Sequence, residues 1–238
     1  MKGLDLFFPP RCVLCGELLG PGEKSVHAGC YRKLVCIKEP RCKYCGKPLE
    51  SDAAGSCLDC ERKRAAGRLH VDGGRAVWLY QGEIRESLMD FKYNGMRSYG
   101  EFYACEAVKY AGNWIEKLHP ELLVPIPLHP RKKRIRGYNQ AEVLAENLGK
   151  RLQIPVDSRV LLRKRWTDPL KSVSGTQRRH NLARAMALGN VPGRIRRIML
   201  VDDIYTTGST MEICSGLLKR AGIEKVFFLT ICIGDGAK

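Results

Sequence analysis

The strongest constraint on this 238-residue chain is a spacing that occurs twice. Cys12-Val-Leu-Cys15 is followed after eleven residues by His27-Ala-Gly-Cys30, and Cys42-Lys-Tyr-Cys45 is followed at the same distance by Cys57-Leu-Asp-Cys60. The second set is the first displaced by 30 positions, and the turns repeat too, since Cys15-Gly16 and Cys45-Gly46 each lead to a leucine, Leu19 and Leu49. Zinc takes four thiolate or imidazole donors in a tetrahedron, and a C-x2-C turn brings two of them to one ion while its backbone amides stabilise their charge. The register makes His27 the counterpart of Cys57. The spacing therefore predicts two zinc ribbons in series, one liganded by Cys12, Cys15, His27 and Cys30, the other by Cys42, Cys45, Cys57 and Cys60. Other readings stand beside it: a redox pair in one C-x2-C, a cross-braced arrangement in which alternating pairs share an ion, or a module that has lost one metal. A module of about 60 residues with so few large apolar side chains needs coordination energy to fold, so both ions are expected to be structural.

Eight of the eleven cysteines precede residue 61, and in a reducing compartment such usage argues for metal ligands and buried thiols before disulfides. Cys36, Cys105, Cys214 and Cys232 fall outside the repeat and read as small core or partly exposed residues. Charge is segregated as well. Of a formal +16, residues 131–197 carry +14, from 18 basic and 4 acidic side chains. Full metallation adds seven thiolates and two Zn²⁺, which lowers the ribbon module from +4 to about +1 and leaves no obvious DNA-binding surface there by charge. With 44% hydrophobic and 28% charged residues the chain is neither disordered nor a membrane protein in composition. No window approaches the roughly 20 apolar residues of a membrane span, and the apolar stretch in Met1–Pro10 is too short for a signal peptide. The expectation is a cytoplasmic protein without membrane insertion, divided into residues 1–66 and 67–238.

From about Gly74 the apolar residues alternate between strand and helix periods. Strands are expected at Arg75–Tyr80, Leu122–Leu128, Val160–Leu162, Ile198–Val201 and Val226–Ile233, and helices at Ile84–Tyr93, Phe102–Leu118 and Ala141–Leu152. This alternation implies an α/β fold with a parallel sheet, in which ligands bind at the carboxyl ends of strands. The informative run is Ile198-Met-Leu-Val-Asp-Asp-Ile-Tyr-Thr-Thr-Gly-Ser-Thr210. An apolar strand ends in paired carboxylates, Asp202 and Asp203, and a short hydroxylated loop opens a helix near Thr210. Backbone amides at that helix start, with the Thr206, Thr207, Ser209 and Thr210 hydroxyls, suit a phosphate dianion, and Gly208 lets the backbone come close. The two carboxylates can accept hydrogen bonds from ribose hydroxyls and help hold magnesium through water. Met211, Cys214, Leu217, Leu218 and Ala221 are expected on the inner face of this helix, with Gly222 ending it. Ser209 and Glu212 also satisfy a capping box, which would make Ser209 structural.

This thirteen-residue run resembles the phosphoribosyl pyrophosphate (PRPP) signature of type I phosphoribosyltransferases. Val124-Pro-Ile-Pro-Leu-His-Pro130 and Arg136-Gly-Tyr-Asn-Gln-Ala141 narrow the resemblance to the ComF family, also called the competence protein F or GntX-like family, over essentially the whole chain. The resemblance implies a type I phosphoribosyltransferase fold, with four or five parallel strands and a small hood, behind an N-terminal double zinc ribbon. It further implies that Pro125, Ile126 and Pro127 border the pyrophosphate of PRPP. Residues 163–181 would then form a mobile loop whose Arg163, Lys164 and Arg165, with Gln177, Arg178 and Asn181, close over it. Leu170 stands where family members often carry glutamine. Thr206 stands where purine-salvage enzymes of the superfamily carry an aspartate, which argues against hypoxanthine-guanine salvage.

Three functions follow as alternatives. One is Mg-dependent phosphoribosyl transfer to an unidentified acceptor, with Asp202 and Asp203 on the ribose, Thr206–Thr210 on the 5′-phosphate, and Arg136 and the basic loop near a departing pyrophosphate. Another, implied by the resemblance and motivated by the +14 of residues 131–197, is single-stranded DNA binding alongside DNA-uptake proteins. The last is PRPP sensing without turnover.

Overall fold

The computed structural model describes residues 9–165 and 175–234. In the ribbons the repeat of the sequence returns as a repeat of hydrogen bonds. The Cys12 N–H donates to Glu17 O and the Gly16 N–H to Cys12 O, both at 2.8 Å; their counterparts Cys42 to Lys47 and Gly46 to Cys42 measure 2.7 and 2.8 Å. Antiparallel bridges tie off each knuckle, Arg11 with Leu18 and Arg41 with Pro48. A short helix then carries the last cysteine of each set, α1 (Ala28–Arg32) and α2 (Leu58–Ala65).

The rest of the chain runs β1 (Gly73–Leu79), α3 (Glu83–Tyr93), α4 (Tyr99–Leu118), β2 (Leu122–Pro125), α5 (Pro130–Arg136), α6 (Gln140–Leu152), β3 (Leu161–Arg163), α7 (Gly175–Ala185), β4 (Met186–Leu188), β5 (Arg197–Tyr205), α8 (Ser209–Arg220) and β6 (Lys225–Ile233). Strands β1-β6-β5-β2 form one sheet in that order, every pair parallel. The apolar runs of β5 and β6 are what a strand covered on both faces requires. Phe91, Tyr103, Leu144 and Leu148 from α3, α4 and α6 share one core with Met199, Val201 and Leu229, while Met211, Cys214 and Leu218 of α8 share another with Ile198, Leu200 and Phe228. This is the expected α/β architecture, a type I phosphoribosyltransferase fold behind a double ribbon. No helix among the described residues is long and apolar enough to cross a membrane.

The ribbons are built into the sheet. The segment between them adds to the free edge of β1, with the Ile37 N–H on Val77 O at 3.1 Å and the Leu79 N–H on Val35 O at 2.9 Å, so an edge open to wrong pairing is covered. The second knuckle sits on β1 itself, close enough that a Cβ at Gly46 would fall 2.7 Å from Gly74 O.

Several elements differ from expectation. β2 stops at Pro125, and the Ile126 N–H makes the last bond to β5, on Val201 O, before the chain turns away. The strand expected at Val160–Leu162 lies at Leu161–Arg163 and pairs antiparallel with β4, outside the main sheet. β5 runs through Asp202 and Asp203 to Tyr205, still paired with β6, so the carboxylates sit within the strand and not after it. Of the expected inner face of α8, Ala221 is exposed. Residues 163–181, expected as one mobile loop, include the start of α7 at Gly175, and 166–174 lie outside the described residues, Leu170 among them.

Gly74 gives a direct test of this packing. A Cβ there would collide with the Phe228 ring, which cannot retreat because it stacks on Tyr205 at 4.9 Å between centroids. Gly74→Ala is expected to cost about 1–3 kcal/mol in denaturant unfolding, the usual penalty of overpacking, and Phe228→Leu in the same chain should recover part of it. An unchanged midpoint for Gly74→Ala would contradict this packing.

Candidate functional site

The site is set by strand lengths. β2 pairs with β5 only as far as Pro125 opposite Val201, whereas β5 continues beside β6 to Tyr205 opposite Ile233. The last residues of β5 therefore open toward a crevice at the carboxyl end of the sheet, where α/β folds bind ligands. After Tyr205 the chain turns through Thr206, Thr207 and Gly208, whose φ of +75° is left-handed and caps α8. Thr206 and Thr207 are exposed, and Ser209 and Thr210 are half-buried. The Thr207 and Ser209 hydroxyls lie 3.0 Å apart. The first intrahelical bond runs from Glu212 N–H to Gly208 O at 2.9 Å, so the amides before it are those a helix leaves for an anion. The capping box does not form: Ser209 lies inside the helix, and the Glu212 carboxylate instead accepts the His70 N–H at 2.8 Å.

Asp202 and Asp203, neighbours on an extended strand, project to opposite faces. Lys92, at the end of α3, makes an ion pair with Asp203 at 2.9 Å, both side chains largely buried. Burial works against the Lys92 ammonium, but Asp203 and then Asp202 hold its pKa above the ordinary lysine value. The Asp202 carboxylate accepts the Asp203 N–H at 2.9 Å. Its pKa is pushed up to about 8, first by burial and then by the Asp203 charge, with Lys92 and Arg163 acting in the other direction. Burial lowers the Arg163 pKa, and Cys214 and Asp202 oppose that shift. Arg163 thus acts electrostatically on Asp202, while Lys164 and Arg165 are exposed.

The Pro125-Ile126-Pro127 turn leaves β2 beside β5: the Ile126 N–H donates to Val201 O at 2.9 Å, and the buried Asn139 amide donates to Ile126 O at 3.0 Å. Asn139 also caps α6, accepting the Ala141 N–H. Arg136 is held by Gln140 Oε1 at 3.2 Å and by the Tyr93 hydroxyl at 2.9 Å, with its guanidinium 4.5 Å from the centre of the Tyr93 ring. Gln177 and Asn181 bond each other across one turn of α7 at 3.1 Å. Lys92, Tyr93 and, from the second ribbon, Lys63 went unnoticed in the sequence. No local spacing marks them, since each meets the site only through packing between distant segments.

In the ribbons, the donor atoms of Cys12, Cys15, His27 and Cys30 all lie within 4.8 Å of one another, and so do those of Cys42, Cys45, Cys57 and Cys60. The pairs join as sequential sets, not cross-braced. His27 Nε2 lies 2.9 Å from Leu18 O and takes the donor role there, which turns Nδ1 to Cys15 Sγ at 3.4 Å. Three sulfurs with one imidazole nitrogen in the first ribbon, and four sulfurs in the second, fit tetrahedral zinc at this spacing.

Comparison with known proteins agrees with this geometry. A family model described as "Double zinc ribbon domain" matches residues 3–61. Competence protein F of Haemophilus influenzae is 29% identical over 228 residues, covering 92% of this chain and 95% of the relative. Competence protein ComFC of Bacillus subtilis is 30% identical over 231 residues, 89% of either chain. DNA utilization protein YhgH of Escherichia coli K12 is 34% identical over 113 residues, about half of each, at 48% and 49%. With a match along nearly its whole length at this identity, and two sequential four-donor clusters at its N-terminus, the chain belongs to the ComF family of competence proteins.

Proposed function

We propose that the chain binds PRPP with Mg²⁺ at the carboxyl end of β5 and transfers its phosphoribosyl group to an acceptor, releasing pyrophosphate. The observation that carries this reading is the continuous unit of carboxylate pair, left-handed glycine turn and helix start at residues 202–210. In it Thr206, Thr207, Gly208, Ser209 and Thr210 hold the 5′-phosphate, and Asp202 and Asp203 accept from ribose hydroxyls. Pro125, Ile126 and Pro127 border the pyrophosphate. The C1–oxygen bond breaks, its electron pair leaves with pyrophosphate, and C1 bonds to the acceptor, which gives up a proton. Arg136, Arg163, Lys164 and Arg165 stabilise the departing charge. Carboxylate oxygens are hard donors that fit Mg²⁺, which needs few protein ligands beside substrate phosphates and water; when bound it supplies further positive charge to the pyrophosphate. The two zinc ions, on Cys12, Cys15, His27 and Cys30 and on Cys42, Cys45, Cys57 and Cys60, are structural.

A second reading, single-stranded DNA handling with DNA-uptake proteins, is favoured by the names of the relatives, which refer to competence and DNA utilization. Helix α5, with exposed Arg131, Lys133 and Arg134 between the proline turn and Arg136, is the basic surface that suits it.

Calorimetric titration with PRPP and Mg²⁺ tests the first reading. The wild type is expected to bind, and Asp202→Asn with Asp203→Asn to weaken binding at least about tenfold, the worth of a charge-assisted hydrogen bond; no binding by the wild type sinks the proposal. Release of pyrophosphate separates a transferase from a sensor.

A pH series adds a sign. Only the ionised Asp202 accepts hydrogen bonds at both oxygens, and its pKa is pushed up to about 8 in the free protein, so PRPP affinity should rise between pH 6 and 8. Asp202→Asn should lose that part of the rise. The same shift bears on stability: the raised carboxyl favours the fold below its unfolded pKa, and that contribution is lost as pH climbs through about 8. Asp202→Asn should therefore flatten the fall in stability over this window.

For the second reading, log–log salt plots of single-stranded DNA affinity should become shallower by roughly 1.4 in Arg131→Gln/Arg134→Gln, about 0.7 per lost phosphate contact. An unchanged slope would remove α5 from any such interface.

A further inference from the structure

Lys63 belongs to the second ribbon by sequence, three residues past Cys60 on α2, yet its ammonium ends at the loop before α8. Nζ donates to the Thr207 carbonyl at 2.8 Å and to the Tyr205 hydroxyl at 3.0 Å, and lies 3.6 Å from Glu212 Oε1. Two of its three N–H bonds are thus taken up, and the ammonium also faces Glu212 Oε1, a buried oxygen without a hydrogen bond of its own, as an ion pair. The lysine side chain is 15% exposed and that of Glu212 only 2%, so the pair is shielded from salt and water and acts as a fixed strut. The loop accommodates it: Gly208 leaves the space in which a Cβ would fall 2.6 Å from Lys63 Nζ.

We propose that Lys63 is a positioning residue for the Thr206–Thr210 loop and that, through it, metal at the four-cysteine site and anion binding at the loop strengthen each other. This rests on the reading of that loop as a phosphate site. In a trans peptide the N–H points opposite to the preceding carbonyl. Holding the Thr207 carbonyl toward α2 therefore aims the Gly208 N–H away from α2, and with it the turn that starts α8. The strut is only as fixed as α2. Cys57 caps that helix and Cys60 lies in its first turn, so two of the four donors at this site set the helix from which Lys63 extends. Coupling between two binding events is reciprocal: whatever factor zinc adds to phosphate affinity, phosphate must add to zinc retention.

The test uses the zinc-loaded full chain. Lys63→Met alone strands a buried carboxylate, so the informative variant is Lys63→Met/Glu212→Gln, beside the conservative Lys63→Arg. The first readout is amide exchange without ligand. The double variant is expected to speed exchange at residues 206–212 at least threefold with β6 unchanged, and Lys63→Arg to restore part of the protection. The second is zinc release to a chromogenic chelator. PRPP with Mg²⁺ is expected to slow release of one of the two zinc equivalents at least threefold in the wild type and not in the double variant. Unchanged exchange at 206–212 overturns the positioning role, and equal slowing in both proteins overturns the coupling. A wild type that does not bind PRPP overturns the phosphate reading and the coupling with it, while the exchange result still decides what Lys63 does.

Discussion

A parallel strand that outruns its neighbour exposes one edge of its last residues, and the candidate site depends on β5 doing this beside β2. Had β2 continued to Leu128, the Asp202–Tyr205 backbone would be paired on both sides and the crevice closed. The Pro125-Ile126-Pro127 turn, with φ fixed at both prolines, leads the chain away after the Ile126 N–H has bonded Val201 O, and Asn139 stabilises the break by donating to the Ile126 carbonyl. The short strand thus leaves the last residues of β5 open on one side at a place the core already holds rigid.

Packing at that place forces a division of labour between two adjacent carboxylates. Asp203 is paired with Lys92 in a largely buried setting, and removing either partner would leave an uncompensated charge, a loss of about 3–5 kcal/mol. Among the described residues Asp202 has no comparable ion pair, so burial and the neighbouring charge hold its proton on. One carboxylate thereby also holds α3 to the sheet, while burial and the neighbouring charge keep the other protonated above the ordinary carboxylate range. Sequence adjacency suggested equal partners; strand geometry makes them unequal.

What was legible in the sequence is what local spacing encodes. The ribbons could be read because their ligands lie on turns of fixed length, and β5, its loop and α8 because an apolar run, small hydroxylated residues and a glycine must occur in order. The capping box between Ser209 and Glu212 is instructive because the local pattern was present and partners distant in sequence prevailed, Glu212 being drawn to the His70 N–H and to Lys63. Lys63 and Lys92 lie 142 and 111 residues from Tyr205 and Asp203, and nothing nearby in the chain marks them. The repeat also concealed an asymmetry. Gly16 has open space beside it, whereas Gly46 abuts the Gly74 backbone, so equivalent turns serve different neighbours, and it is the second ribbon that reaches the loop, through Lys63.

The distribution of charge carries the same lesson one step further. Residues 131–197 carry +14, but the floor of the site does not carry that excess: Lys92 offsets Asp203, and Arg163 acts on Asp202 through its charge. Part of the excess lies at the rim, on exposed residues of α5 and on Lys164 and Arg165, while Arg194, Arg196 and Arg197 stand at the opposite, amino end of β5. Charges at a rim act through solvent over about 8–10 Å at physiological salt, so they speed the arrival of any polyanion without choosing among polyanions. On the proposed reading selection comes from the floor, where carboxylates can tell a diol from a bare phosphate and oriented amides can hold a phosphate. The basic rim is therefore compatible with both a sugar polyphosphate and a nucleic-acid backbone, and the carboxylate floor is the feature that separates them.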